Sequence, residues 1–377
     1  MRVLHINCNY TGTTLHQIMV EQLNVLGIQN DVFVPVHTKH VPVIEPAQYV
    51  KVSACFPKIA RVSFKYKQHK IYTTLLKFYN PVNFDLIHAY TLFTDGNCAY
   101  ELSKRYHLPY IVTVRNTDLN SFFRLRPDLR KRGIEIMKKA SAICFLSPAY
   151  KKRLFLNYIP KKIWRELLRK THIIPNGIND FWHCNKYMQR DYSEITNRLK
   201  QKELFVIHAG AINKNKNLLT TCLALDELQN EGWKVKYTAV GKVQDSQVAQ
   251  QLCKRSYVRI LNPLPMEKLI DVFREHDMFV MPSIKETFGL VYAEAMSQGL
   301  PVIYSKGQGF DEQFPEGYCG YHVPAKDVHE LKERIVRIAG KYKSLSQCAL
   351  DGVSKFRWNE ICSKYHQMYE HILRETI

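Results

Sequence analysis

The sequence predicts an α/β protein built from two doubly wound domains, each with a parallel sheet between layers of helices. Short apolar runs typical of buried strands alternate with amphipathic helices, which is the pattern of βαβ units. The length of 377 residues is enough for two hydrophobic cores. The alternation of strands and helices starts again after the segment 172–177, so a second domain follows the first.

The first domain opens with a clear strand–turn–helix unit. A strand is predicted over 2–7, a turn contains Gly12, and a helix follows over 15–26, where apolar residues recur at helical spacing and Gly27 ends it. Later strands are predicted at 31–36, 85–88, 110–114 and 142–146.

The second series has predicted strands at 204–209, 235–240, 258–261, 278–281 and 301–304, with helices at 218–230, 266–275 and 290–298. No low-complexity linker separates the two series, so a tight hinge is expected near 172–200. Two such domains would face each other across a cleft between the carboxyl ends of their strands, where doubly wound sheets bind ligands.

The net positive charge is concentrated in the first half of the chain. The net charge is +20; residues 1–172 carry 27 Lys and Arg against 10 Asp and Glu, and residues 173–377 carry 27 against 24. This asymmetry indicates an anionic partner such as lipid headgroups or phosphorylated acceptors. Nucleic acid is not expected, because no helix-turn-helix, zinc or RNP-type motif accompanies the charge.

The chain shows no targeting or membrane-spanning pattern. No stretch reaches about 18 consecutive apolar residues, and the N-terminus lacks the apolar middle of a signal peptide. The ten cysteines are scattered, without a C-x-x-C pair. A cytoplasmic protein is therefore expected, without disulfides or a metal site.

The most informative segment is 281–303, MPSIKETFGLVYAEAMSQGLPVI. An apolar strand ends at Pro282, a loop leads to Gly289, and a helix then runs to Gly299. The free N–H groups at that helix start can bind a diphosphate, and a glycine lets it approach closely. Glu294 can accept hydrogen bonds from a ribose diol, and Glu286 can reach the hydroxyls of a bound sugar.

These two glutamates and their flanks resemble the E-x7-E motif of retaining glycosyltransferases of family 4, including F-G-L and E-A-x-x-x-G-x-P-V-I. Other segments are similar to motifs of the same family. They are IPNGI at 174–178, HAGAINKNKN at 208–217 (V-G-R-x4-K-N), VG at 240–241, GQGFDE at 307–312 and PYIVTVRNTD at 109–118.

The resemblance implies the GT-B fold, with the acceptor on residues 1–172 and the nucleotide sugar on residues 173–356. A last helix at about 357–377 would pack back onto the first domain. The family needs no metal ion or other cofactor. The implied donor-binding residues are Gly12, Gly210, Lys214, Lys216, Gly241, Leu264, Glu286, Thr287, Phe288, Gly289, Leu290 and Glu294. Those implied to act in catalysis are Glu286 and Lys216, with Asp118 and Arg115 on the acceptor side. Of these, Lys216 would neutralise the departing diphosphate.

Two positions depart from the family pattern. Arg115 replaces the usual histidine of T-x-H-G-x-D, and Ala211 replaces the arginine of V-G-R. Arg115 or Lys214 could supply the missing positive charge; both are hypotheses. For Asp118 the alternative role is that of a turn or helix cap.

Two basic segments, 58–77 and 151–170, carry aromatic and aliphatic residues between their cations. They predict contact with an anionic membrane surface or acceptor. The residues singled out are Lys65, Lys67, Lys161, Lys162, Trp164 and Arg165. In the alternative, the apolar faces pack on the sheet and only the charges meet solvent.

The sequence thus predicts a retaining glycosyltransferase. It would move a hexose or N-acetylhexosamine from a UDP or GDP sugar to a glycan or lipid-linked acceptor, in bacterial surface polysaccharide synthesis. The alternatives are a non-catalytic GT-B protein that binds glycan or a partner enzyme, a nucleotide-sugar epimerase, and a glycogen-type synthase.

Overall fold

The strands pair in parallel throughout residues 1–39 and 47–376, which this computed structural model describes, and they form two separate sheets. Unit 1 comprises the residues up to Gly177 together with the C-terminal segment from Trp358, and unit 2 comprises Ile178–Arg357. The sequence placed these divisions at 172 and 356. The prediction of two doubly wound α/β domains is confirmed.

Unit 1 has a seven-stranded sheet of order β3-β2-β1-β4-β5-β6-β7. Its inner strands β4 to β6 are buried along their whole length, as expected for a sheet covered by helices on both faces. The strands are β1 Arg2–Ile6, β2 Gln29–His37, β3 Val50–Phe56, β4 Leu86–Ala89, β5 Tyr110–Val114, β6 Ala142–Phe145 and β7 Thr171–Ile173. The helices are α1 Leu15–Val25, α2 Phe64–Phe78, α3 Thr94–Tyr106, α4 Pro127–Lys139, α5 Pro148–Tyr158, α6 Trp164–Leu168 and the C-terminal α15 Trp358–Thr376.

Unit 2 has a six-stranded sheet of order β10-β9-β8-β11-β12-β13. The strands are β8 Glu203–Ala209, β9 Lys234–Val240, β10 Val258–Leu261, β11 Met278–Met281, β12 Val302–Ser305 and β13 Gly320–Val323. The helices are α7 Asp180–Cys184, α8 Tyr192–Lys200, α9 Leu218–Asn230, α10 Ser246–Cys253, α11 Met266–Arg274, α12 Leu290–Ser297, α13 Val328–Gly340 and α14 Tyr342–Gly352.

Helix α15 belongs to unit 1 because its apolar face packs on that sheet. Ile361, Tyr365 and Tyr369 are buried against strands β1, β4 and β5. The Tyr369 hydroxyl lies 2.7 Å from Nδ1 of His88. Burial holds the pKa of His88 well below its usual value, so the ring is neutral and can share this hydrogen bond.

Three strands were not predicted, namely β3, β7 and β13. Each lies at the edge of its sheet, and each is short or interrupted by polar residues, so none shows the continuous apolar run of a central strand. Within the described part of the chain, no helix combines the length and hydropathy needed to cross a bilayer.

Candidate functional site

The loops that carry the motif residues meet at the carboxyl ends of the strands of the unit 2 sheet. Strand β8 lies between β9 and β11, so the strand order reverses there. Open α/β sheets bind ligands beyond the carboxyl ends of the strands at such a point. The loop after β8 carries Lys216 and the loop after β11 carries Glu286. The fold therefore brings together two residues that are 70 positions apart in sequence.

Lys216 and Glu286 form an ion pair. The Lys216 ammonium donates to Oε2 of Glu286 at 2.6 Å, and both side chains are largely buried, with 21% and 12% exposed. Glu286 also accepts from the backbone N–H of Thr287 at 3.1 Å and from the Ser283 hydroxyl at 3.4 Å. Because solvent screens this pair poorly, the interaction holds the Lys216 ammonium and the Glu286 carboxylate in fixed positions at the strand ends.

Residues that the sequence did not single out hold the Glu286 loop in place. Asn215 bonds twice to Lys285, accepting from its N–H at 3.1 Å and donating to its carbonyl at 2.9 Å. Gln308 accepts from the Glu286 N–H at 3.0 Å, and the Gly309 N–H donates to the Glu286 carbonyl at 3.1 Å. Asn215 and Gln308 lie inside segments that resemble motifs of the family, and this location is the feature of the sequence that could have identified them as site residues.

The start of α12 provides backbone donors beside this pair. Gly289 caps the helix in the left-handed region, at φ 79°, and a Cβ there would lie 2.4 Å from the Tyr292 ring. The Phe288 side chain is buried, so only its backbone is available to a ligand. The N–H groups at the helix start, from Phe288 to Leu290, have no intrahelical acceptors and lie at the positive end of the helix dipole, which suits a diphosphate.

Glu294 lies on α12 and is half-buried. Burial raises the pKa of its carboxyl to about 7. The ionised form accepts two hydroxyl hydrogen bonds better than the protonated form, so a ligand that uses this carboxylate should bind more weakly as the pH falls.

We expect nucleotide diphosphate affinity to fall about tenfold between pH 8 and pH 6, since the ionised fraction of a group with a pKa near 7 falls by that factor. Calorimetric titrations at several pH values measure this. Phosphate itself takes up a proton near pH 6, so Glu294→Gln is the control. An equal pH dependence in Glu294→Gln would show that Glu294 is not its source.

The other residues predicted for the donor side have different surroundings. Gly210 and Gly241 approach each other closely, since a Cβ on Gly241 would lie 1.9 Å from the Gly210 carbonyl oxygen. Lys214 is exposed, and its ammonium lies 3.7 Å from the Asp245 carboxylate. The structure therefore brings Lys216, and not Lys214, into contact with Glu286. Leu264 is half-buried in the loop after β10.

In unit 1, Asp118 has the role that the sequence left as the alternative. Its carboxylate accepts from three backbone N–H groups, those of Arg115 at 2.8 Å, Leu92 at 3.1 Å and Phe93 at 3.2 Å. The side chain is 1% exposed, and burial raises its pKa to about 6. Asp118 thus caps main-chain turns, and its predicted role on the acceptor side stays a prediction.

Arg115 lies at the carboxyl end of β5. Its Nε donates to the Tyr90 carbonyl at 2.7 Å, and only 9% of the residue is exposed. Burial lowers its pKa. Among the described residues, no carboxylate forms an ion pair with it. It remains a positive charge near the switch point of the unit 1 sheet, and its predicted role stays a prediction.

Gly12 lies in the exposed turn after β1, with no other atom within 4 Å of the place of its Cβ. The backbone there is outside the left-handed region, so this position does not require glycine.

The basic segments bury only some of their apolar side chains: Ile59, Val62, Tyr66, Leu156 and Leu168 are exposed, whereas others pack inward. Trp164 donates from Nε1 to the Ile159 carbonyl at 2.9 Å and meets the Phe155 ring edge-on, while Leu167 is fully buried. Helix α6 therefore packs Leu167 and part of Trp164 on the unit 1 core and leaves Leu168 exposed, and the predicted membrane contact of Trp164 stays a prediction. Exposed cations remain around it and on α2, at Lys65, Lys161, Lys162 and Arg165. Membrane contact stays a prediction, which rests on these cations and on the exposed apolar residues of the two segments.

The two doubly wound units, with the loops after β8 and β11 in contact at the switch point of unit 2, define the GT-B class of glycosyltransferases. The family Glycosyl transferases group 1 matches residues 190–349, and Glycosyltransferase Family 4 matches residues 14–180. The chain belongs to the family 4 glycosyltransferases, as the sequence predicted.

Relatives and solved structures agree with this assignment. N-acetyl-alpha-D-glucosaminyl L-malate synthase of Bacillus anthracis is 23% identical, over 78% of this chain and 76% of its own length. Alpha-monoglucosyldiacylglycerol synthase of Acholeplasma laidlawii is also 23% identical, over 67% and 66%. The sucrose-phosphate synthase of Thermosynechococcus elongatus superimposes with a TM-score of 0.73 over 100% of both chains at 19% identity. HepE of Anabaena, in complex with UDP and glucose, superimposes with a TM-score of 0.66 at 17% identity, covering 97% and 98%. These similarities confirm the predicted fold class.

Proposed function

We propose that this glycosyltransferase moves a hexose or N-acetylhexosamine from a UDP or GDP sugar onto a glycan or lipid-linked acceptor, with retention at the anomeric carbon. Unit 2 binds the donor and unit 1 binds the acceptor. The product would enter a bacterial surface polysaccharide. The observation that carries the proposal is the Lys216–Glu286 ion pair beside the start of α12.

Each part of a nucleotide diphosphate sugar has a chemically suitable partner in unit 2. The helix start and the Lys216 ammonium suit the two phosphates, which carry the negative charge of the donor. The Glu294 carboxylate suits the ribose diol. Glu286, next to Lys216, suits the hydroxyls of the transferred sugar. A simple monophosphate has no sugar hydroxyls and would leave Glu286 without a partner on the ligand.

During transfer the bond between the anomeric carbon and the diphosphate oxygen breaks, and a bond from that carbon to the acceptor oxygen forms. The acceptor hydroxyl loses its proton, which the departing diphosphate can take. Negative charge develops on the diphosphate as the sugar becomes oxocarbenium-like, so the work of the protein is to hold both groups and stabilise that charge.

We propose that Lys216 and the α12 dipole supply this stabilisation without a metal ion. Groups of three or more His, Cys, Asp or Glu able to hold a metal are absent from residues 1–39 and 47–376. Adding EDTA to an assay of sugar transfer tests this part of the proposal, which predicts an unchanged rate.

The relatives support a uridine diphosphate donor and indicate that acceptors vary within the family. HepE was solved with UDP and with UDP-glucose, which favours a uridine diphosphate donor here. The relatives named above are synthases of a sugar–malate and of a sugar–diacylglycerol. Acceptors in the family therefore differ widely, and the charge of unit 1 favours an acidic or lipid-linked one.

A thermal-shift panel of UDP, GDP, ADP and dTDP tests the donor site. A ligand at 100 times its dissociation constant stabilises a protein by about 2.7 kcal/mol, so a shift of a few degrees is expected with one nucleotide. Glu294→Ala should abolish that shift, and Glu333→Ala, at an exposed position on α13, should keep it. If no nucleotide shifts the native protein, the non-catalytic GT-B alternative replaces this proposal.

A further inference from the structure

A cavity of about 520 Å³ opens in unit 1 at the carboxyl ends of β1 and β4. These two strands are neighbours at the point where the strand order of the sheet reverses. The walls come from the turn after β1 (Cys8), the start of α3 (Thr94) and the side of α2 (Phe64, Lys67). The volume is that of a typical small-ligand site.

Lys67 is held inside this cavity by its neighbours. Its ammonium donates to the Thr94 hydroxyl at 3.1 Å and lies 5.1 Å from the centre of the Phe56 ring. The next residue, Gln68, is buried and donates to the Phe93 and Thr94 carbonyls at 3.3 and 3.2 Å. This anchors α2 on α3, so the Lys67 ammonium has a defined position.

The lining of the cavity is cationic. Arg126 adds a second positive charge, and the 13-residue helix α3 begins there with its positive dipole end. Of the described residues that line the cavity, none has a carboxylate. The buried Asp95 lies beneath, where it accepts from the Cys8 N–H at 3.2 Å and from the Thr91 hydroxyl at 3.0 Å. Burial raises the Asp95 pKa to about 7, which weakens its opposing charge near neutral pH.

We propose that this cavity binds a phosphate group of the acceptor, with Lys67 as its main charge partner and Arg126 as the second. The proposal rests on the proposed function for the identity of the ligand as the acceptor. It narrows the acceptor from any glycan or lipid-linked sugar to one that carries a phosphate. Arg126 is the weaker partner, because two of its nitrogens already contact the Asp128 carboxylate at 2.9 and 2.7 Å.

The phosphate could belong to a soluble sugar phosphate or to a lipid headgroup. A neighbouring groove of about 770 Å³ shares Phe64 with the cavity. Its walls include the apolar surfaces of Tyr72 and Leu129, and its lining carries Lys104 and Arg105 together with the carboxylates of Glu101 and Asp128. A lipid phosphate would place its chain there, whereas a soluble sugar phosphate would leave the groove empty.

Calorimetric titration of the full chain tests the proposal with four probes: inorganic phosphate, glucose 6-phosphate, glucose and dodecyl phosphate. We expect glucose 6-phosphate or dodecyl phosphate to bind and glucose to bind at least tenfold more weakly. Lys67→Gln should weaken the phosphate probes roughly ten- to hundredfold, the usual effect of losing a hydrogen bond to a charged group. Lys70→Gln removes the same charge from the same helix but lines neither cavity, so it should change affinity less than twofold.

The source of the phosphate follows from a third variant. If Leu129→Asn weakens dodecyl phosphate alone, the acceptor phosphate is a lipid headgroup; if glucose 6-phosphate binds as well as dodecyl phosphate, it is soluble. Equal binding of any phosphate probe to the native protein and Lys67→Gln overturns the proposal, as does an absence of binding by all three. The nucleotide shift in unit 2 is measured separately in each variant. It reports proper folding, and its absence from the native protein would reject the donor site while leaving the phosphate result standing.

Discussion

Lys216→Ala is expected to lower the rate constant for cleavage of the nucleotide sugar by two to three orders of magnitude. The side chain carries the positive charge nearest to Glu286, 2.6 Å from its carboxylate, in a poorly screened position. Removal of one preorganised group that stabilises developing negative charge typically costs about 10²- to 10³-fold in kcat. The loss should appear in kcat more than in KM, because the charge on the diphosphate grows during bond cleavage.

Lys214→Ala is the matched control. It removes the same kind of charge from the same loop, but the Lys214 ammonium lies near Asp245 in an exposed position, and we expect less than a threefold change. Slow hydrolysis of the nucleotide sugar whose diphosphate gives the thermal shift provides the assay, so no acceptor is needed. Equal losses in the two variants would mean that the ion pair with Glu286 has no special role. Lys216→Arg should restore part of the rate, since it keeps the charge.

Gly241→Ala should destabilise unit 2 by about 3 kcal/mol or more. The residue has φ 153°, and an added Cβ would lie 1.9 Å from the Gly210 carbonyl oxygen and 2.7 Å from its carbon. Both obstacles are backbone atoms of the neighbouring strand end, where Gly210 N–H donates to the Val240 carbonyl at 2.8 Å. Backbone strain and overpacking each cost about 1–3 kcal/mol, and here neither neighbour can rotate away.

Gly12→Ala provides the contrast. The sequence places both glycines at the donor site, but Gly12 has open space around the position of its Cβ. A change within about 1 kcal/mol of the native free energy of unfolding is expected, with stabilisation the more natural direction. Urea unfolding of both variants, followed by fluorescence, measures the difference. A Gly241→Ala protein as stable as Gly12→Ala would contradict the close approach of β8 and β9.

Much of the site could be predicted from the sequence because it depends on short segments. The segment 281–303 contains its own strand end, loop, helix start and both glutamates, so local pattern was enough to place Glu286, Gly289 and Glu294. The central strands were predicted for the same reason, because strands that are buried on both faces have continuous apolar sequences. The edge strands β3, β7 and β13 lack that run and were not predicted.

The directions of side chains depended on distant neighbours and could not be predicted. The family motif singles out Lys216, but only the packing of the loop after β8 against the loop after β11 places Lys216 beside Glu286 and Lys214 beside Asp245. Asp118 turned inward because the backbone N–H groups of Leu92 and Phe93, in a separate loop, required an acceptor. Trp164 packs partly against the core of unit 1 because this contact removes apolar ring surface from water.

The sequence by itself determined the two-domain α/β class, the family and the loop that holds the donor motif, because each follows from residues that are near one another in the chain. The tertiary structure decided which lysine pairs with Glu286, which carboxylate is structural, and that a cationic cavity forms around Lys67. The physical reason is that ion pairs, capping contacts and cavities are made between segments that only the folded sheet brings together.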